Sequence, residues 1–168
     1  MNQSDGSILD RLLGHDAGTT RELISIAADL DPAALERAFP IGLGSVRATL
    51  HHIVRVMECW MDLMLEKPVR ARFEIEAPLS EFSARLDTVA SELRTLAETL
   101  ATEGRIDSTF VDLLDDPPKE KTFGGALVHV ATHGMHHRAQ VLWMLRELGV
   151  GELPEGDALG WEARRRKG

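Results

Sequence analysis

The chain has 168 residues, 43% of them hydrophobic, and a formal net charge of −8 at pH 7. This length and composition fit one globular domain over residues 1–168 with a sizeable core, and they exclude a disordered chain. The acidic balance provides no basic face for nucleic acid, so we expect no nucleic-acid partner. We interpret the one basic cluster, residues 164–167, as a solvated C-terminal tail.

Cysteine usage and the N-terminal residues bear on location. Cys59 is the only cysteine, so an intramolecular disulfide is impossible and a reducing compartment fits. The first residues lack the basic and long apolar regions of a signal peptide, and no apolar run approaches the ~20 residues of a membrane span. We therefore expect a cytoplasmic protein with no membrane partner.

Apolar periodicity and capping residues predict four long helices. A short helical turn, residues 31–38, separates the first two of them. Ser45 and Thr122 are predicted N-caps, and Gly149 is predicted to end the last helix. The approximate bounds of the four helices are residues 8–30, 45–66, 78–102 and 122–149.

Two segments depart from the helical pattern. Before the last helix, residues 105–113 are predicted to form a short strand or extended segment, and residues 115–121 a turn. After that helix, residues 150–160 are predicted to be a loop, with Trp161 docking the tail onto the bundle. The fold predicted is all-α, a four-helix bundle with a longer irregular crossover before the last helix.

The last helix contains four of the seven histidines. A helix turns about 100° per residue, so all four fall within an arc of about 100°. Measured from the middle of the apolar stripe, His137 lies about 65° away and His133 about 105°, whereas His129 and His136 lie about 145° and 165° away. His133 and His137 are therefore predicted to point inward or along the core border, either as ordinary polar residues or as two ligands of one metal ion.

The adjacent pair His51 and His52 in the second helix provides a third ligand candidate. Helical phase predicts that His52 faces inward and that His51 faces water. The resulting set of neutral imidazoles, from His52, His133 and His137, suits zinc, nickel, iron or copper, and three protein ligands leave one coordination position open. Such a site would acidify a bound water or thiol.

Two segments carry a family resemblance. FPIGLGSVRATLHHIVRVMECW and HVATHGMHHRAQVLWMLRELG resemble parts of the DinB-like, or DinB/YfiT, superfamily of metal-binding helical bundles. The resemblance implies one ligand from an L-x-H-[IL] motif, which is His52 in this chain. It implies two more from an H-x-x-x-H-R-[GA]-Q motif, which are His133 and His137. The first helix departs from the family, because Gly18 stands where a tryptophan often lies.

The resemblance implies more than one activity. Some relatives are thiol-dependent transferases or isomerases, and others resemble metal-dependent hydrolases. We expect a metal-dependent enzyme in which a divalent transition metal (zinc, nickel or iron) activates a low-molecular-weight thiol or water for attack on a small electrophilic substrate. Thiol transfer is slightly favoured over hydrolysis. The alternative is a non-catalytic metal-binding stress-response protein, and a structural bundle without metal is a third interpretation.

The remaining polar candidates have structural interpretations. Arg138 lies near the buried stripe and is predicted to pair with a carboxylate, a substrate anion being the alternative. His15 and Asp16 are predicted to form a solvated pair, the alternative being a pocket mouth. His129 and His136 are predicted to lie at the surface or beside the metal ligands.

Two further side chains complete the predictions. Cys59 lies on the same side of its helix as His52 and is interpreted as a small core residue rather than a catalytic thiol. Trp143 points away from the apolar stripe of the last helix. An outward tryptophan predicts a homodimer, the alternative being packing beneath a loop of the same chain.

Overall fold

The computed structural model describes residues 7–166, which form six helices and one two-stranded sheet. Four long helices pack around one apolar core and confirm the predicted all-α bundle. The helices are α1 (Ile8–Ala28), α2 (Pro32–Glu36), α3 (Val46–Met64), α4 (Leu79–Thr102), α5 (Phe123–Glu147) and α6 (Ala158–Arg165), and the strands are β1 (Thr109–Asp112) and β2 (Lys119–Thr122).

Side-chain caps set where three bundle helices begin. Ser7, Ser45 and Thr122 each accept a hydrogen bond from the backbone N–H three residues further on. After α5, Gly149 has a φ of +79°, a left-handed conformation that closes a helix and that glycine adopts at low cost. The caps predicted at Ser45 and Thr122 and the helix end at Gly149 are therefore confirmed.

A return crossing connects α3 to α4. Residues 65–78 run back along α3, so that α4 begins beside the start of α3 and lies parallel to it. Arg70 pairs with Asp62 near the end of α3, and Arg47 near its start donates a hydrogen bond to the Ala77 carbonyl at 2.9 Å. A long crossover was predicted only before the last helix. The crossing at residues 65–78 has no sequence pattern of its own, because side-chain bonds to α3 hold it in place.

The connection before α5 is a β-hairpin. Phe110 in β1 lies opposite Lys121 in β2, in an antiparallel register. Within the extended segment predicted for residues 105–113, residues 109–112 form strand β1, which confirms that part of the prediction. The turn predicted for residues 115–121 is wrong in its second half, because Lys119 to Lys121 pair with β1. This stretch has no apolar alternation, and only its pairing with β1 makes it a strand.

The loop predicted for residues 150–160 is confirmed for residues 150–157 and is wrong at its end, because α6 begins at Ala158. Trp161 docks onto α1 as predicted. Its ring lies edge-on to His15, with 5.9 Å between ring centroids, and against Gly14 and Gly18. A Cβ at Gly18 would overlap the indole nitrogen of Trp161. The missing tryptophan side chain at position 18 is thus compensated by an indole from α6.

The basic cluster is not a free solvated tail. Arg164 pairs with Glu22 at 3.1 Å, and Arg165 pairs with Asp10 at 3.4 Å. Lys167 lies outside the described residues. Exposed ion pairs of this kind contribute little individually, so the Trp161 contact is the main anchor of α6.

Gly18→Ala is expected to destabilise the protein. Alanine in place of glycine within a helix normally stabilises by about 1 kcal/mol. Here the added Cβ overlaps the Trp161 indole. We expect a lower thermal midpoint and faster trypsin cleavage after Arg164, because α6 separates from α1. Gly151→Ala is the control, since a Cβ there meets nothing within 4 Å. A stabilised Gly18→Ala protein with α6 still protected would contradict this packing.

Candidate metal centre

Three imidazole rings meet between α3 and α5. His52 comes from α3, and His133 and His137 come from successive turns of α5. The Nε2 atom of His133 lies 3.2 Å from Nε2 of His52 and 3.2 Å from Nε2 of His137. One ligand atom from each residue lies within 4.8 Å of the other two. The structure therefore brings together the three residues that the sequence predicted as ligands.

The antiparallel packing of α3 and α5 produces this meeting. Residues that follow His52 along α3 lie beside residues that precede His133 along α5. Trp60, two turns after His52, has its ring centroid 5.1 Å from that of His129, one turn before His133. His52 and His133 are 81 positions apart in the chain, so only the tertiary fold joins them.

The surroundings keep the three imidazoles neutral. Burial, with smaller effects from the neighbouring His137 and His52, lowers the pKa of His133 to about 4. Burial also lowers the pKa of His52, with a smaller effect from His137. It lowers the pKa of His137 too, against the opposing effect of the hydrogen bond that His137 donates to Gln140. A neutral imidazole nitrogen is what a metal ion requires of its ligand.

Gln140 orients His137. Its Oε1 accepts a hydrogen bond from Nδ1–H of His137 at 2.8 Å, which leaves the Nε2 lone pair directed at the cluster. Its amide nitrogen donates to Nε2 of His136 at 2.9 Å. Gly42 makes room for this amide, since a Cβ there would overlap it, and Gly42 also has a φ of +57°. This role of Gln140 was not predicted, although its spacing of three from His137 is the signal for such a contact.

His51 is buried, and the prediction that it faces water is wrong. It is 1% exposed, and its Nε2–H donates to the Phe73 carbonyl at 2.9 Å. Its ring packs against those of Phe73 and Phe82. The segment of residues 65–78 covers the side of α3 that the helix's own apolar pattern leaves polar. His51 therefore holds the return crossing in place, and it points away from the other histidines.

Arg138 pairs with a buried carboxylate, as predicted, and that carboxylate is Asp16. The prediction that His15 and Asp16 form a solvated pair is wrong. Asp16 is 1% exposed, and His15 is buried with Nε2 3.0 Å from the Gly156 carbonyl. A Cβ at Gly134 would overlap both Asp16 and Arg138. The glycine thus admits the ion pair that joins α1 to α5.

The other two histidines of α5 flank the cluster without joining it. His129 and His136 are both exposed. The ring centroid of His129 lies 5.6 Å from that of His133, and the centroid of His136 lies 5.1 Å from that of His137. This agrees with their predicted position at the surface beside the ligands.

Cys59 and Trp143 are both partly exposed side chains outside the cluster. Cys59 is half-buried, and burial raises the pKa of its thiol, which disfavours a nucleophilic thiolate. Trp143 is 36% exposed and packs edge-on against Phe39 of the same chain, at 5.9 Å between ring centroids. A loop of the same chain therefore covers part of Trp143, and the homodimer stays a prediction.

Comparison with known proteins identifies the family. The family model described as the DinB family matches residues 1–161. The chain belongs to the DinB family. A crystal structure of a protein described as a DinB family member, from Exiguobacterium sibiricum 255-15, resembles this DinB protein with a TM-score of 0.60 and 21% identity, over 89% of this chain and 95% of that chain. This likeness supports the fold. No curated protein matches the chain.

The donor set of this DinB protein fits a divalent transition metal. Tetrahedral zinc with nitrogen ligands at about 2.0–2.1 Å would place those nitrogens about 3.3 Å apart. The two Nε2 separations of 3.2 Å centred on His133 are close to that value. Among residues 7–166, the cluster contains imidazoles alone, a donor set that suits zinc, nickel, iron and copper. The trio could therefore hold a metal ion.

Alanine variants test the division of roles among the histidines. His52→Ala, His133→Ala and His137→Ala are each expected to lose stoichiometric zinc, because each removes one of the three converging nitrogens. His136→Ala is expected to keep the ion. His51→Ala should keep it as well, and should instead lower the free energy of unfolding by about 1–3 kcal/mol, since it leaves a buried carbonyl without its donor.

Metal content and helicity would be measured on all five variants. His129→Ala serves as an exposed control on the same helix. If His51→Ala or His136→Ala empties the site while the variant of its neighbour retains zinc, the assignment within that adjacent pair is wrong.

The lowered pKa values set the pH range of metal binding. Ordinary histidines, with pKa near 6.5, would release metal between about pH 7 and pH 5. Because burial lowers all three values, that of His133 to about 4, we expect the folded protein to retain zinc through pH 6 and to lose it as the pH approaches 4.

Folding stability changes in the same direction. The unfolded chain binds protons near pH 6.5 and the folded chain only at lower pH, so the metal-free protein loses stability as the pH falls from about 6.5 towards 4. Zinc retention would be measured across this range alongside circular dichroism. Half-release near pH 6.5 with the fold intact would contradict the lowered pKa values.

Proposed function

We propose that this DinB protein is a metal-dependent enzyme whose three-histidine cluster holds zinc, nickel or iron. A metal ion held by these histidines would activate a thiol or water for attack on a small electrophilic substrate. The observation that supports this most is the convergence of three neutral Nε2 atoms, from His52, His133 and His137, with no carboxylate among them in residues 7–166. Neutral ligands leave the full charge of a divalent cation available to a further ligand.

The chain's own residues provide binding and orientation. A bound ion would supply a Lewis-acid centre that lowers the pKa of the attacking thiol or water. His52, His133 and His137 present their Nε2 lone pairs to one point, and Gln140 keeps the His137 ring turned towards it. Packing of α3 against α5 keeps these rings partly out of water, where electrostatic interactions are stronger.

The nucleophile in this proposal comes from solution. Cys59 is the only thiol of the chain, it does not belong to the cluster, and burial raises its pKa. A low-molecular-weight thiol or a water molecule must therefore attack the substrate. The family resemblance slightly favours thiol transfer over hydrolysis.

The alternative is a non-catalytic metal-binding stress-response protein. One observation favours it. Within residues 7–166, no aspartate or glutamate joins the three histidines, so the cluster contains no carboxylate for general acid–base catalysis. Tight metal binding without turnover would fit this alternative.

Other properties of the protein stay expectations. None of the helices in residues 7–166 is long and apolar enough to cross a membrane. A cytoplasmic location, a homodimer and a single domain over residues 1–168 are part of the proposal.

Turnover of model electrophiles tests the enzyme proposal. Protein loaded with zinc, nickel or iron would be mixed with 1-chloro-2,4-dinitrobenzene and a small thiol, and separately with 4-nitrophenyl acetate in water. In the first reaction a sulfur–carbon bond forms and chloride leaves. We expect His133→Ala to abolish turnover and Gln140→Ala to lower it about 10–100-fold, because Gln140 orients a ligand.

Thr132→Ala is the matched control. Thr132 is exposed, precedes His133, and its hydroxyl bonds only to carbonyls of its own helix. It should retain wild-type turnover. Stoichiometric metal without turnover by any of the three loaded forms would rule out the enzyme proposal for these reactions and favour the non-catalytic alternative.

A further inference from the structure

A cavity of about 300 Å³ lies beside the histidine cluster. It is enclosed by the later part of α3, the end of β2 and the first two turns of α5. His129 lines this cavity, and its ring centroid lies 5.6 Å from that of His133. One imidazole ring thus separates the cavity from the cluster. The lining residues are Trp60, Lys121, Thr122, Gly125, Ala126 and His129.

Trp60 forms a fixed aromatic wall of this cavity. Its ring meets that of Phe110 at 88°, with 6.4 Å between centroids, and that of His129 at 63°, with 5.1 Å between centroids. Edge-to-face contacts on two sides hold the indole in one orientation. A wall that is already ordered can bind a planar group without a further entropic cost of ordering it.

Small residues leave the space beside Trp60 open. Gly125 and Ala126 contribute no more than a methyl group to the lining. A Cβ at Gly125 would meet only the Thr122 hydroxyl, at 2.8 Å. Room of this size admits a single ring with a few substituents and fits the lower end of ligand-pocket volumes, about 300 Å³.

The one lysine of the cavity lining is engaged by a carboxylate. The Lys121 ammonium lies 2.8 Å from Oδ2 of Asp115, an oxygen that also lies 3.9 Å from the Lys119 ammonium. No arginine is among the lining residues of this described cavity. The rim therefore favours an uncharged molecule over a carboxylate or phosphate.

We infer that this cavity is the electrophile subsite of the enzyme and takes an uncharged, planar aromatic substrate. The ring lies against Trp60, and the reactive carbon points past His129 towards the histidine cluster. The inference rests on the proposed function for its chemistry, whereas binding to the cavity is a separate property. Trp60 and the hairpin residue Phe110 behind it would then determine substrate specificity.

Binding of an unreactive probe tests the subsite without turnover. 1,3-Dinitrobenzene is uncharged and planar and has no leaving group. It would be titrated into zinc-loaded and metal-free ¹⁵N-labelled protein, with the indole N–H signals of the three tryptophans assigned from Trp→Phe variants. We expect the Trp60 signal to shift in both forms and the signals of Trp143 and Trp161 to stay in place.

Substitutions at Trp60 sharpen the test. Trp60→Leu should weaken probe binding about tenfold, and Trp60→Phe, which retains a ring, should stay within about threefold of wild type. Trp143→Leu is the matched control and should leave binding unchanged. Equal binding by Trp60→Leu and wild type, a dominant shift at Trp143 or Trp161, or tighter binding of 3,5-dinitrobenzoate than of 1,3-dinitrobenzene would each overturn the inference.

The subsite and the enzyme proposal can fail separately. A probe bound at Trp60 in protein that turns over neither model electrophile supports the cavity as a binding site and removes the enzyme proposal. Turnover of 1-chloro-2,4-dinitrobenzene with the same kcat/KM in wild type and Trp60→Leu overturns the subsite and leaves the enzyme proposal standing. A tenfold loss of kcat/KM for this substrate in Trp60→Leu, with stoichiometric zinc retained, supports both.

Discussion

The packing of α3 against α5 takes three imidazole rings partly out of water and places them against one another. His52 and His133 are 81 positions apart along the chain, and this packing brings them together. Burial of the apolar faces of these helices drives their association. The same burial lowers the pKa of the three rings, which leaves their lone pairs available. Tertiary packing thus creates both the geometry and the protonation state of the cluster.

Contacts outside the cluster limit how far α5 can move. On one side, Gln140 lies over Gly42 and bonds His137, so the loop before α3 fixes the rotation of the His137 ring. On another side, the buried pair of Arg138 and Asp16 attaches α5 to α1. Breaking one partner of such a pair leaves an uncompensated buried charge, which is costly. The position of His137 on α5 therefore depends on two other parts of the chain, the loop before α3 and α1.

Much of the fold and the candidate site could be predicted from the sequence, because local rules govern those parts. Caps and apolar periodicity place the four long helices, and the spacing of four between His133 and His137 puts both rings on one face. The wrong predictions for buried polar residues have a common cause. His51 is covered by residues 65–78, His15 by the segment around Gly156 and Asp16 by Arg138 of α5, and the phase of a single helix carries no information about such distant cover. The short β2 strand likewise depends on its partner.

The three histidines lie on two helices, so metal binding would be coupled to the docking of α3 against α5. His133 and His137 are one turn apart on a single helix, so α5 alone presents two nitrogens, whereas His52 arrives only when α3 docks. An ion captured first by the pair would bind more tightly once docking is complete. Binding of the ion would then stabilise the docked state by mass action, by an amount equal to RT ln(1 + [ion]/Kd). The bundle would in this way respond to metal supply through its own folding equilibrium, before any substrate is involved.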